Sequence, residues 1–278
     1  MVVLVTDTAM TVTSGTLDGF ATTVPTNEAK LFLNTAASFF NARENKTVKC
    51  VDLDVAKFRQ WNQTNTVLRS LLPQQDVQTI FIADNRSQTS TTEPGVRLIN
   101  GEWLPPKGLT VATPDPMYIK GNYNVTTNGT PVNLGTSDTS AALPASVAAD
   151  AVSILSVNWN DASSASALSS RIAGSTTVNC AILAGNVPTT TSSYSGGLEN
   201  FPRFLEDWSG QTLTYNGSWV AMYDSRIATA PWSGNGASVS IYSPPIRNWS
   251  FDQNFNDLNK IPPASPQVRL LLRGGWAD

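Results

Sequence analysis

MYIKGNYN, residues 117–124, is a short apolar run that stops on Gly121-Asn122, and its form recurs along the chain. VRLING (96–101), CAILAGN (180–186) and TLTYNGSWV (212–220) share the same design. Asn and Gly enter left-handed backbone conformations at low cost, so each pair marks a place where a strand bends or reverses. The runs are too short for long hairpin arms. Strands at 80–84, 96–99, 109–112 and 117–123 are therefore expected in parallel, stacked coils.

Around this stretch, VQTIFIADN, GVRLING, GLTVATP and PMYIKGNYNV follow one another at intervals of roughly ten to sixteen residues. Such spacing suits the hairpins of a sandwich or the successive sides of a β-solenoid. The expected fold class is mainly β with α: a right-handed β-helix or solenoid-like body over residues 76–278, a small α/β part over residues 1–75, and a few packed helices. In the N-terminal part, Thr26 or Asn27 caps an expected helix from Glu28 through AKLFLNTAASFFNAR, with Leu31, Thr35, Phe39 and Phe32, Ala36, Phe40 at helical spacing. KTVKCVDLDV (46–55) reads as a strand, and Asp54 as the cap of a shorter helix in which Phe58 and Trp61 share a packing face.

Further on, TTNGTPVNLGTSDTSA (126–141) holds almost no large apolar residue and reads as an exposed loop. SVAADAVSILSVNWN (146–160) reads as a helix burying Val147, Val152, Leu155 and Trp159, followed by a small-residue connector. TLTYNGSWVAMYDSR (212–226) reads as a long strand or a hairpin centred on Asn216-Gly217. Pro-Pro at 244–245 and 262–263 excludes helix interior there, so the tail through KIPPASPQVRLLLRGGW is expected to be extended.

The 278 residues, 41% of them hydrophobic, suffice for a sizeable core. Only 14% are charged, below the usual share of about 25%, and Thr, Ser, Asn and Gln fill the deficit, as on secreted or cell-surface β proteins. A net charge of −3 gives no electrostatic reason to approach a polyanion, so nucleic acid is not an expected partner. MVVLV (1–5) lacks the basic flank and length of an export signal, and nowhere do about 20 apolar residues run together. No membrane span is expected in this chain.

The absence of histidine excludes Ser-His-Asp and Cys-His mechanisms and His-ligated metal sites. No Ser stands three residues before any lysine, and no phosphate-binding glycine loop is present. DQNFND (252–257) begins like a calcium loop but has Asp257 at the turn position and Pro263 where a bidentate Glu is needed. Cys50 and Cys180 cannot form a structural zinc site by themselves, and two buried free thiols are favoured over a disulfide. Carboxylates remain as the acid–base candidates: Asp52, Asp54, Asp84, Asp115, Glu206 and Asp207. No local motif singles out a pair of them. Trp208, Trp219, Trp232, Trp249 and Trp276 read as core and capping residues in preference to a carbohydrate-stacking surface. No catalytic, cofactor or metal residues are assigned.

Several phrases in one order carry a family resemblance: GLTVATPDPMYIKGNYN (108–124), AADAVSILSVNWND (148–161), NCAILAGNVPT (179–189), GGLENFPRFLEDW (196–208), LTYNGSWVAMYDS (213–225) and YSPPIRNWSFD (242–252). Together, over roughly residues 75–278, they resemble the extracellular region of PilX-like envelope proteins associated with type IV pilus assembly in Gram-negative bacteria. The resemblance implies a periplasmic or cell-surface module with a β-helix-like body and other envelope or pilus-like proteins as partners. The sequence departs from that pattern at its start, where the hydrophobic anchoring helix of such proteins is not found, so a fragment or ectodomain is expected.

Within LENFPRFLEDW, Leu198, Phe201, Phe204, Leu205 and Trp208 repeat at three- and four-residue steps and read as one face of a short buried helix, with Arg203 paired to Glu199, Glu206 or Asp207. An interaction surface for another envelope component is the alternative for the same residues. The expected function is a non-enzymatic structural or interaction module of the envelope. The alternative is a carbohydrate-active or carbohydrate-binding secreted β-solenoid protein that uses paired carboxylates.

Overall fold

The computed structural model describes residues 1–15, 21–70, 76–127, 129–191, 194–232 and 238–266, apart from the side chains of residues 198, 199, 238 and 239. The protein is mainly β. At the start, β1 (Val2–Val5), β2 (Met10–Gly15) and β3 (Ala21–Val24) form an antiparallel meander. Next come α1 (Thr26–Ala29), β4 (Leu33–Asn41), β5 (Lys46–Asp54), α2 (Val55–Thr64) and α3 (Thr66–Arg69).

Short strands then alternate with corners: β6 (Thr79–Asp84), β7 (Thr92–Ile99), β8 (Leu109–Ala112), β9 (Met117–Lys120), and the small pair β10 (Thr126–Thr127) and β11 (Thr130–Pro131). They continue as β12 (Ala145–Ala149), β13 (Val152–Leu155), β14 (Thr176–Asn179), β15 (Ala181–Asn186), β16 (Thr212–Gly217) and β17 (Trp219–Asp224). A helical turn α4 (Ser238–Ile241) and β18 (Ile246–Phe251) follow.

These strands sort into three larger sheets. The first runs β17-β15-β12-β8-β6-β1-β2-β3, the second β13-β9-β7-β5-β4, and the third β14-β16-β18. From β6 onward the neighbours in all three are parallel, as the short runs predict. In the first sheet Ile80 pairs with Val111, Val111 with Val147, Val147 with Ile182, and Ile182 with Trp219, so the chain returns to the same row every 31 to 37 residues. Both sheets extend back across residue 75: β1 pairs with β6, and β5 with β7.

The interior between the sheets follows from the two-residue period of a strand. Val3, Ile80, Ile82, Val111, Val147, Ile182, Val51, Leu53, Ile119, Ile154, Leu213 and Tyr215 all belong to one buried cluster. Helix α2 covers the N-terminal end of this cluster through Phe58 and Trp61, against which Phe32 packs with ring centroids 5.3 and 4.9 Å away. Its start is as expected: the Asp54 side chain accepts from the Lys57 amide at 3.0 Å.

The opposite face of the second sheet carries a second buried layer. Val48, Cys50, Tyr118 and Leu155 pack there with Phe39, Trp159 and Leu205. Phe39, from β4, sits edge-on to Tyr118 at 4.8 Å and to Trp159 at 5.6 Å. Gly95 in β7 makes the layer fit, since a Cβ there would stand 2.6 Å from Val48 and 3.1 Å from the Tyr118 ring.

Several expectations are corrected. The helix expected from Glu28 onward is only α1; residues 33–41 are strand β4, whose ladder to β5 outweighs a helical spacing that a short apolar run cannot distinguish from a strand. The helix expected over 146–160 is β12 and β13 joined by a corner at Asp150, because β8 and β15 supply parallel ladders on both sides of β12. Asn216-Gly217 closes no hairpin: β16 and β17 belong to different sheets. The expected loop at 126–141 contains the β10–β11 pair and buries Thr126, Asn133 and Thr139. Both cysteines are free and buried.

Candidate interaction surface

The segment singled out in sequence, 196–208, opens with a 3-10 turn over Gly197–Asn200 and then runs extended, in place of the expected helix. Pro202 explains the break: it lacks an N–H for the helix ladder and disfavours helical geometry at the residue before it. Beyond it, Arg203 bridges in parallel to Ser153, and Asp207 to Ile172 and Ser243, so the segment takes its place between neighbouring turns of chain. Phe201, Phe204, Leu205 and Trp208 are buried, whereas the side chain of Leu198 lies outside the described residues. Arg203 is also buried, and it pairs with Glu44 at 3.3 Å and not with Glu206 or Asp207; the side chain of Glu199 lies outside the described residues. Phe201, Arg203, Phe204, Leu205 and Trp208 therefore fill space in the interior.

Of the six carboxylates raised as acid–base candidates, the structure brings Asp84 and Asp115 together, and each of the six has a local partner. Arg97 grips Asp52 with two bonds of 2.8 and 2.9 Å and reaches Asp161 with its remaining donors. Asp54 caps α2 and accepts from Asn100 at 3.0 Å. Asp84 takes a two-oxygen grip from Arg86. Asp115 accepts the Asp84 amide at 2.9 Å, and burial pushes its carboxyl up to about 6. Glu206, also raised by burial, accepts from the amide and hydroxyl of Ser156 at 2.6 and 2.7 Å. Asp207 is held low by the Ser209 hydroxyl and amide. A polar pocket beside Glu206, lined by Trp159, Asn160, Ser163 and Arg171, has a volume of about 40 Å³, room for a few water molecules. Among the described residues, no group of three or more Cys, Asp or Glu is placed to hold a metal ion.

The feature that sequence reasoning missed lies on the outer face of the first sheet. Pairing puts Val2 beside Phe81, Phe81 beside Ala112, Ala112 beside Ala148, Ala148 beside Leu183, and Leu183 beside Val220. This row crosses six strands without a charge or a hydrogen-bonding side chain. Val2, Phe81 and Val220 are 39–40% exposed, and Leu4 and Met222 extend the apolar surface next to it. A signal was available: VVLV, IFIA, AILA and WVAM are apolar at both odd and even positions, the pattern of strands covered on both faces, whereas a face meant for water alternates with polar residues.

The same surface ends at an open edge. Among the described residues, β17 and β18 are the last strands of the first and third sheets and present one side of their backbone without a neighbour. Met222, Tyr223, Ile246 and Phe251 are exposed along them. Between them Trp219 and Trp249 stack edge-on at 4.6 Å, Tyr215 lies 5.0 Å from Trp219, and the Arg247 guanidinium covers the Trp249 ring at 4.8 Å. Trp232 is partly buried, with its indole N–H donating to Tyr242; Trp276 lies outside the described residues.

The chain matches no protein-family model, no curated protein and no solved structure. Among the described residues, no helix is long and apolar enough to cross a membrane.

Proposed function

We propose that this chain is a non-enzymatic structural or interaction module of the bacterial cell envelope, exposed in the periplasm or at the cell surface and associated with type IV pilus-like assembly. Its ladders are the coils of a β-solenoid. The regular return of the chain to each parallel row supports that reading, and right-handed winding follows from the strong preference of parallel crossover connections. The uncharged apolar row from Val2 to Val220, continuous with the open edge of β17, carries the functional reading. Contiguous apolar surface of this kind is costly in water and marks a contact with another protein, and an open parallel edge adds backbone groups that a partner strand can satisfy.

The envelope setting rests on the resemblance of residues 75–278 to PilX-like proteins and on a surface poor in charge. The alternative, a carbohydrate-active protein, needs two carboxylates free to face a sugar across a groove; the acids raised for that role are engaged with arginines, hydroxyls or backbone amides. Location is tested by protease or biotin labelling of intact cells of the source bacterium. Labelling from outside, or after the outer membrane is opened, is the expected result, and recovery solely in the cytosol contradicts it.

A further inference from the structure

The β4–β5 hairpin forms one edge of the second sheet, where β5 pairs with β7, and ends in a tip whose partners come from far along the chain. Arg43 donates to the side-chain oxygen of Asn200 and, at 3.2 Å, to the carbonyl of Ala230. Glu44 accepts from Arg203 at 3.3 Å and from the Ala230 amide at 2.9 Å. Under the tip stands Glu93 of β7, 1% exposed. Its Oε1 accepts from Asn41 at 3.1 Å and from the Tyr118 hydroxyl at 3.3 Å, while its Oε2 is buried with no partner. Arg43 Nε is likewise buried without a hydrogen-bond partner, its nearest carboxylate oxygen being Glu44 Oε1 at 3.9 Å.

The groups around Glu93 come from four elements: Asn41, Arg43 and Glu44 from β4 and its turn, Lys46 from β5, Tyr118 from β9, and Arg203 from the segment after the 3-10 turn. Arg203 and Arg43 are drawn toward Glu44, so the second carboxylate adds repulsion at Glu93 where the orphan oxygen has no donor to offset it. A charge at that oxygen is therefore far more costly than a proton.

We propose that the tip of the β4–β5 hairpin, residues 41–46, is a pH-dependent clasp, closed against Asn200, Arg203 and Ala230 while Glu93 carries its proton and loosened when Glu93 ionises. Ionisation places an unpaired charge beneath the tip, and the tip contacts of Asn41, Arg43 and Glu44 are what must give way to admit water. Burial, then Glu44, raises the Glu93 carboxyl to about 7, which sets the transition near neutral pH.

The test is hydrogen exchange of the intact chain at about pH 5.5 and about pH 8.5, corrected for the intrinsic pH dependence of exchange. Peptides covering residues 38–48 are expected to lose about tenfold in protection at the higher pH while β16 is unchanged, and Glu93→Gln is expected to abolish the difference. Equal protection of residues 38–48 at both pH values, or a wild-type pH difference in Glu93→Gln, overturns the proposal. Should that variant fail to fold, carboxyl-carbon NMR of the wild type decides. A Glu93 titration near neutral pH that moves the residue 41–46 amides in parallel supports the clasp, and ionisation below about pH 5 overturns it.

Discussion

Asn216 donates from its side-chain nitrogen to the side-chain oxygen of Asn179 at 2.7 Å, and the two stand in register on parallel neighbours β16 and β14. Asn179 donates onward to the carbonyl of Asn124 at 3.0 Å, while the Ser250 hydroxyl donates to Asn216. Asn124, Asn179 and Asn216 are almost wholly buried, so the ladder satisfies amides that water cannot reach. Asn216→Ala is expected to cost about 1–3 kcal/mol by leaving Asn179 and the Thr136 carbonyl unpaired, read as a lower urea midpoint at constant m-value. An unchanged midpoint would show that the ladder is incidental.

Arg97 on β7 and Asp52 on β5 stand in register, both almost fully buried, and a bidentate bond joins them. Arg97→Met strands the buried Asp52 and is expected to cost about 3–5 kcal/mol, whereas Asp52→Asn leaves Arg97 its two bonds to Asp161 and should cost less. The double variant should recover part of the Arg97→Met loss, because Asp52 no longer carries a buried charge and the remaining unpaired acid, Asp161, is partly open to water. A double-mutant cycle that returns simple additivity would remove the pair from the account.

Stability should fall as pH rises through about 6, for a reason located at Asp115. Its folded carboxyl is raised from 3.8 to about 6, chiefly by burial, so the folded state holds the proton more tightly than the unfolded state does. The stabilisation is complete below the unfolded value and is lost as pH climbs through the folded one. Asp115→Asn keeps an oxygen for the Asp84 amide and should flatten that part of the profile, with a gain on the order of 2 kcal/mol at neutral pH. Denaturation midpoints of the variant that track the wild type from acid to neutral pH would contradict this.

Trp208 and Phe204 meet at 5.5 Å in the core, and truncating either to Ala is expected to cost about 3–5 kcal/mol through lost transfer energy and a cavity. Trp208→Phe should cost far less, because the indole N–H of Trp208 has no acceptor to lose. Melting temperatures unchanged by both Ala variants would turn the 196–208 segment from packing into a docking surface.

How far the sequence revealed the fold depends on where each residue's period was unambiguous. KTVKCVDLDV alternates strongly enough to read as β5, and Asp54 before VAKF marks the start of α2, so both were legible. LNTAASFF and VAADAVSIL were not: alanines at every spacing suit a helix locally, and the ladders that make them strands come from residues far away in sequence. The Asn and Gly pairs carried two meanings. Asn100, Gly121 and Asn124 have positive φ, as a turn reading expects, whereas Asn179 and Asn216 build a ladder. Gly217 is needed because a Cβ there would meet the Cys180 carbonyl at 2.0 Å. Of the candidate site, Phe201, Arg203, Phe204, Leu205 and Trp208 were legible as packing, but Arg203's bond to Glu44 spans 159 residues and leaves no local trace.

Electron-microscopic counts of surface filaments in the source organism test most directly the proposed role of the apolar outer face and open edge in a pilus-like assembly. Deleting the gene is expected to remove most filaments. Restoring the gene should bring them back, and restoring it with Val220→Lys and Met222→Lys should not, although the variant accumulates to the wild-type level. Filament counts unaffected by the deletion, or fully restored by the doubly charged variant, would contradict the account.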